Sequence, residues 1–336
     1  MIKALEKLKK PKLTEDEEYN AYVRKKKLKA KVGGIAIKFF RAILILGICY
    51  YILYPLIAKA FSSFMAEIDI YDTTVGMIPR NWTLVNYQRA FLGLEYLKSA
   101  LSTLGLTLLN TVTQIAACTL VGYGFARFKF PLKSLLFGLV ILTLLIPPST
   151  IIIPMWLNFR FFDIFGIIGL FTGGQGINLS NSVWAFVVMG ITCMGFKNGL
   201  YIYMIRQFFR GVPKELEEAA LIDGAGHLRT FWSVMLPSAK PILTVVSMFS
   251  IVWSWTDIFY QGWFLKTADL LSTNLLGLAS TVASELMDMG SAGLDSAYST
   301  IINSAGIILV ILPLIIFYLF AQKQFVEGIE RSGIVG

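Results

Sequence analysis

Pro213-Lys214-Glu215-Leu216-Glu217-Glu218-Ala219-Ala220-Leu221-Ile222-Asp223-Gly224-Ala225, running on to Val234-Met235-Leu236-Pro237, is the stretch whose reading decides the fold. Proline suits the first position of a helix, having no N–H to lose and a preset φ. Glu215, Glu217 and Glu218 then fall in the first turns, where the helix dipole favours carboxylates. Ala219 and Ala220 leave a low, smooth surface that a partner can approach closely. Asp223-Gly224 is a stop, because glycine tolerates the left-handed conformation that ends a helix. The chain on both sides is strongly apolar, over Val183–Ile205 before it and Pro241–Leu265 after it. A short, capped helix between two such runs is predicted to lie at a membrane surface.

Working outward, the composition agrees. Of 336 residues, 56% are hydrophobic and only 15% charged, and the mean hydropathy is +0.66. A soluble domain carries about 25% charge, so the chain is predicted to be an integral membrane protein. Runs of about 20 apolar residues mark spans, and there are six: Ile35–Ala60, Ser99–Val121, Leu135–Met155, Val183–Ile205, Pro241–Leu265 and Ile301–Ala321. The expected organisation is a basic leader over 1–34, a six-helix domain over 35–321 with the 213–237 loop inside it, and a tail over 322–336. The first span is too long, and lies too far behind a charged leader, to be a cleaved signal peptide.

The net charge of +9 follows topology. Basic residues crowd the leader from Lys3 to Lys31 and recur at Arg127, Lys129 and Lys133, then Arg206, Arg210, Lys214, Arg229 and Lys240, then Lys323 and Arg331. The opposite side has few: Lys59, Arg80, Arg89, Lys98, Arg160 and Lys266. By the positive-inside rule both termini and the Glu218 helix are cytoplasmic, and nucleic-acid binding is set aside. The leader, with its acidic start after Leu13-Thr14 and its basic Arg24-Lys25-Lys26-Lys27, suits a short helix along the lipid surface or a solvated tail that fixes topology. Cys49, Cys118 and Cys193 read as scattered, buried small hydrophobes, and His227 as a surface residue with no second metal ligand beside it.

Catalysis is not expected. No Gly-Lys dipeptide occurs, so there is no phosphate-binding loop. Gly173-Gly174-Gln175-Gly176 lacks the lysine and reads as an outer loop. The chain is predicted to bind no metal or cofactor of its own.

The quoted stretch resembles the EAA loop of ABC-importer permeases, closest to carbohydrate importers of the maltose and multiple-sugar type. Asn86-Tyr87, Ala126-Arg127-Phe128-Lys129-Phe130-Pro131, Ile146-Pro147 with Pro154, Arg206-Gln207-Phe208-Phe209, Trp253-Ser254-Trp255 and Gln322-Lys323-Gln324-Phe325-Val326 are similar to that family too. The resemblance implies an all-α integral membrane fold, with six transmembrane helices of the type I ABC importer permease architecture in the bacterial cytoplasmic (inner) membrane. It implies as partners a second homologous permease, two ABC ATPase subunits carrying the ATP and Mg, an extracellular solute-binding protein, and membrane lipid. It also implies a coupling helix, with Glu215, Glu218, Ala219, Ala220, Asp223, Gly224 and Ala225 docking on the ATPase, Glu218 pairing with a basic residue there and Gly224 allowing the turn. Two departures stand out. Thr256 replaces the usual asparagine between tryptophan and acid, and Val335 replaces a basic residue near the terminal Gly336.

Polar residues inside the spans mark what could cross, because each is expensive in hydrocarbon. Thr103, Thr107, Asn110 and Gln114 share one helical face, open to two readings: a pathway or helix-to-helix hydrogen bonding. Ser250, Trp253, Asp257, Tyr260 and Gln261 are placed on one face of the fifth span. Asp257 is then ~24 Å up the helix from Pro241, near the outer mouth. Rings beside hydrogen-bonding groups suit a sugar, while interfacial anchoring also explains the tryptophans. Lys197 lies about 13 Å deeper than Arg206 along its helix, and Lys197-Asn198-Gly199 stands where such permeases carry an Asn-Leu-Pro-like break. It either meets an anionic group on the substrate or pairs with the partner permease or snorkels. The expected cargo is an oligosaccharide, neutral or acidic. The alternatives are an ABC permease for another solute class, an ion-coupled secondary transporter, for which no internal repeat is found, and a scaffold without transport.

Overall fold

A computed structural model describes residues 15–288 and 296–333. The expectations placed on the leader through Thr14 and on Val335 and Gly336 lie outside them. The chain divides into two units, Met1–Lys59 and Ala60–Gly336. In the first, the leader and first span do not form two helices: α1 runs without a break over Glu15–Ser63. Gly33 and Gly34 are tolerated inside it at about 1 kcal/mol each, with no cap or proline beside them to end a helix.

The second unit contains α2 (Glu67–Ile70), α3 (Val85–Gly93), α4 (Tyr96–Arg127), α5 (Lys133–Leu145), α6 (Pro148–Arg160), α7 (Ile167–Thr172), α8 (Val183–Ile191), α9 (Asn198–Gly211) and α10 (Glu215–Ile222). After it come α11 (His227–Thr230), a π-helical turn (Phe231–Met235), α12 (Leu236–Ser238), α13 (Lys240–Trp255), α14 (Phe259–Phe264), α15 (Leu271–Asp288) and α16 (Ser296–Gly333). Among the described residues the only extended pairings outside helices are two isolated bridges, Met65 with Trp82 and Phe162 with Ile177.

All six predicted spans are helical, but only three contain one long apolar helix: Gly33–Ser63, Tyr96–Arg127 and Ser296–Gln324. The third is bent by 107° between α5 and α6, at Ile146-Pro147-Pro148. Proline forces the residue before it out of the helical region, and Ile146 is extended at φ −78°, ψ 121°. The fourth is split into α8 and α9 by the turn Thr192–Lys197. The fifth, expected to be continuous to Leu265, ends at Trp255 and resumes as α14. The sequence reading missed α15, whose Leu271, Leu278 and Val282 pack with Trp255, Tyr298, Ile302 and Ala305 in one core.

Helix α4 is central and packs on α8, α9 and α13. Lipid offers no hydrophobic drive to pair helices, so small residues and hydrogen bonds must hold them. At Gly122 of α4 an added Cβ would sit 2.8 Å from Ile205 Cγ2 and 3.3 Å from the Arg206 amide nitrogen, and at Gly190 of α8 it would run into Thr113. Both glycines therefore let a neighbouring helix come close. Trp255 Nε1 donates to the Val310 carbonyl at 3.0 Å, tying α13 to α16. The cysteines are not all scattered and buried as expected: Cys118 and Cys193 bring their sulfurs to 3.9 Å, and Cys49 is exposed.

Candidate functional site

Two groups of residues stand out, one around α10 and one at the breaks of the fourth and fifth spans. Helix α9 ends where Val212 turns extended (φ −70°, ψ 131°) ahead of Pro213. The proline precedes the cap rather than opening the helix: Lys214 is the N-cap and α10 begins at Glu215. Glu215, Glu218, Ala219 and Asp223 are exposed, and Ile222 is 85% exposed. Glu217 and Ala220, three apart and so on one face, are half-buried. The helix ends in a Schellman turn, with Ala225 N–H donating to the Ala220 carbonyl and Gly224 N–H to that of Leu221, both at 3.0 Å. Gly224 takes φ +82°, the conformation its position in the sequence called for.

What anchors α10 is a residue the sequence reading passed over. Glu217 accepts from the Tyr123 hydroxyl at 2.8 Å and lies 3.4 Å from Arg127 Nε, with the two side chains only 16% and 7% exposed. Arg127 also donates through Nη2 to the Val212 carbonyl at 2.6 Å. The last residue of α4 thus holds both the entry to α10 and its inner face. Arg127 counted in the sequence as a topology charge and as part of the family-like Ala126–Pro131 stretch, not as an anchor, and nothing local separates Glu217 from Glu215 and Glu218. Breaking such a buried pair by removing one partner costs roughly 3–5 kcal/mol when burial is complete. Beneath, Tyr123 packs against Phe209 and Phe231 at centroid distances of 5.3 and 4.9 Å, and Phe231 and Met235 of the π-helical turn are buried.

The polar stripe on α4 bonds to other helices. Asn110 Nδ2 donates to Ser254 Oγ at 2.7 Å. Ser250 Oγ lies 2.9 Å from Gln114 Oε1 and 3.1 Å from Thr111 Oγ1. Thr103 Oγ1 accepts from the Leu271 amide at 2.9 Å. Thr107 Oγ1 is buried without a partner. Asn110 and Gln114 nevertheless line a small cavity with Trp253, Asp257 and Tyr260.

The break at Thr256-Asp257-Ile258 means that Trp253, Asp257, Tyr260 and Gln261 do not share one helical face as expected. Asp257 instead caps α14, its carboxylate accepting from the amides of Phe259, Tyr260 and Gln261 at 3.0, 3.1 and 3.2 Å. Gln261 is 1% exposed; it donates to the Ser254 carbonyl at 2.8 Å and accepts from Ser272, and it lies outside the residues lining the cavity. Trp253 stacks on Phe249 and Tyr201 at 5.3 and 6.0 Å.

Lys197 ends the turn between α8 and α9 with left-handed backbone, φ 66°. Its ammonium lies 4.7 Å from the Phe196 ring centroid and 5.4 Å from that of Trp253. No carboxylate among the described residues lies within ion-pair distance of it. A charge at this depth costs on the order of 2.5–3.5 kcal/mol on insertion scales, and ring contacts return about 0.5–2 kcal/mol. Lys197 borders a second cavity of about 280 Å³, lined also by Thr143, Ile146, Met155, Phe196, Asn198 and Tyr260.

Residues 118–331 match the family described as binding-protein-dependent transport system inner membrane component. The chain is 28% identical over 293 residues to the maltodextrin transport system permease protein MdxG of Bacillus subtilis (strain 168), over 85% of this chain and 91% of that protein. It is 31% identical over 235 residues to the osmoprotective compounds uptake permease protein GgtD of Synechocystis sp., over 70% of this chain and 69% of that one. The fold is similar to that in the crystal structure of a bacterial ABC transporter involved in the import of the acidic polysaccharide alginate, with a TM-score of 0.65 at 20% identity over 94% of this chain and 100% of that chain. The architecture is the all-α one of type I importer permeases. A transport permease of this kind is a multi-pass membrane protein, not itself an enzyme, and works with a solute-binding protein and an ATPase. With most of its length matched, this chain belongs to the family of binding-protein-dependent transport system inner membrane components.

Proposed function

We propose that the chain is one of two permease subunits of an ATP-driven importer for an oligosaccharide. One observation carries this reading: α10 projects exposed Glu218 and Ala219 while its inner face is tied through Glu217 to Arg127 at the end of α4. A helix held so firmly on one side and bare on the other can pass a push from a docked subunit into the spans. In this reading Glu215, Glu218, Ala219, Ala220, Asp223, Gly224 and Ala225 meet a cytoplasmic ATPase subunit, and ATP with Mg is bound and hydrolysed there. Two ATPases sit below, a second permease completes the pathway, and the binding protein delivers from outside. The lysine and arginine asymmetry supports cytoplasmic termini. Asn110, Gln114, Lys197, Trp253, Asp257 and Tyr260 face the path, with Gln261 supporting Ser254 from behind. The similarity to a maltodextrin permease supports a sugar cargo. The similarity to an uptake permease for osmoprotective compounds favours a smaller compatible solute as the second reading.

The test is reconstitution of the chain in liposomes with its companion permease, ATPase and binding protein. Uptake should require ATP hydrolysis and the binding protein. Uptake that survives without hydrolysis, driven by an ion gradient, would sink the reading.

A further inference from the structure

We propose that the broken turn of the fourth span forms a subsite for the carboxylate-bearing unit of an acidic oligosaccharide, with Lys197 matching the anion and Asn198 taking a sugar hydroxyl. The proposal rests on the oligosaccharide-permease reading and names the charge of the cargo.

Four observations meet at this place. First, the backbone leaves the helix between α8 and α9 with both Cys193 (φ 58°) and Lys197 (φ 66°) left-handed. Residues with a Cβ adopt that conformation only where the surroundings enforce it, and such strain gathers at ligand sites. Second, the turn holds the Lys197 ammonium over the rings of Phe196 and Trp253, bordering the cavity of about 280 Å³. Its placement is fixed by aromatic walls, and its charge is unmatched by any described carboxylate.

Third, Asn198, 1% exposed, lines the same cavity and leaves its Oδ1 without a hydrogen-bond partner, while its Nδ2 reaches the Met189 carbonyl at 3.5 Å. A buried acceptor left open calls for an O–H or N–H donor from a ligand. Fourth, Tyr260 borders both this cavity and the smaller one lined by Asn110, Gln114 and Asp257, so the two spaces share a wall. Ligand pockets commonly run from about 300 Å³ upward, and the size found here suits one unit of a chain in transit.

A uronate unit supplies each missing part. Its carboxylate matches the ammonium, a ring hydroxyl donates to Asn198 Oδ1, and its apolar C–H face lies against Phe196 and Tyr260, the aromatic residues that line the cavity. A neutral sugar leaves Lys197 unmatched, and a cationic solute is repelled by it. Charge-assisted hydrogen bonds contribute about twice what neutral ones do, so Lys197 should set the preference between acidic and neutral cargo.

The test compares uptake of a galacturonic acid trimer and of maltotriose by the assembled importer in proteoliposomes, for the native chain, K197R and K197Q. The native importer should take up the uronate trimer. In K197Q the ratio of uronate to maltotriose uptake should fall about ten-fold or more, as expected for loss of a hydrogen bond to a charged group. In K197R the ratio should stay within about three-fold of native, since the charge remains. Stabilisation of the complex against heat by the uronate trimer should be lost in K197Q and kept in K197R. An unchanged ratio in K197Q overturns the subsite. So does a native importer that takes up maltotriose but not the trimer, and that result leaves the permease reading standing. Failure of K197Q alone to assemble with the companion permease makes Lys197 an interface residue and also overturns it. Uptake of neither sugar refutes the oligosaccharide reading on which the proposal rests.

Discussion

Replacing Glu217 by glutamine removes the charge that ties α10 to the end of α4 while keeping the side chain's size. Arg127 and Glu217 are 7% and 16% exposed and 3.4 Å apart, so Arg127 is left as a nearly buried, unmatched charge. The full-burial cost is roughly 3–5 kcal/mol. Arg127 keeps its bond to the Val212 carbonyl and a glutamine can still meet Tyr123, so a loss of about 3 kcal/mol at most is expected. At 1.4 kcal/mol per decade that bounds the loss of the anchored orientation at about 100-fold. The assay is phosphate release and sugar uptake measured together on the assembled importer in proteoliposomes. ATP hydrolysed per sugar imported should rise at least about ten-fold in E217Q. R127M should behave alike, and the double variant should be no worse than either single one, because contacting residues that act as a pair are non-additive. Strictly additive effects, or an unchanged ratio of ATP to sugar, would show that the tie transmits nothing.

Three further outcomes are expected. Gly224 is left-handed with nothing within 4 Å of an added Cβ, so Gly224→Ala acts only through the backbone, by about 1–2 kcal/mol, and should weaken capture of the ATPase subunit. Gly226, at φ −72° and equally open, should tolerate alanine; equal behaviour of the two would refute the turn argument. Ser254→Ala strips Asn110 Nδ2 of its partner and should destabilise the protein by about 1–3 kcal/mol, read as a lower Tm in detergent; an unchanged Tm would contradict it. The Asp69 carboxylate accepts from the Asn81 amide at 2.7 Å, Asn81 Nδ2 at 2.7 Å and the Arg80 amide at 2.8 Å. The Asn81 backbone bond foremost, with the Asn81 side-chain and Arg80 bonds and the Arg80 charge, holds its pKa below the usual 3.8. A depressed carboxylate stabilises the fold fully above its unfolded value and loses that contribution as pH falls through the folded one. Proteolytic nicking between α2 and α3 should therefore rise only below about pH 4 in the native chain and already at neutral pH in D69A.

The spans, the stop at Gly224 and the exposed helix between the fourth and fifth spans were legible because each is written locally. A run of apolar residues long enough to cross lipid must be helical to satisfy its backbone, and a glycine after an acidic, alanine-rich turn ends it. The third span was read as unbroken, and its bend at Ile146-Pro147 follows from the prolines. The interruption at Thr192–Lys197 has no proline, and the sequence marked it by an ill-placed lysine and by the resemblance of Lys197-Asn198-Gly199 to a break in the family. The assumption of unbroken helix put Asp257 and Gln261 on one face with Trp253, and the fold set one as a cap and turned the other inward.

By itself the sequence determined the helical membrane class, the positions of the apolar runs, and the place of the exposed helix between the fourth and fifth of them. Hydrophobic length, charge asymmetry and cap chemistry are properties of neighbours along the chain. The tertiary structure alone decided which of three neighbouring glutamates is tied down, that Arg127 ties it, and that Lys197, Asn198 and Tyr260 border one cavity. Those facts depend on which helices pack against α4 and at what angle. Packing inside lipid is governed by close fit and paired polar groups far apart in sequence, and no local pattern records them.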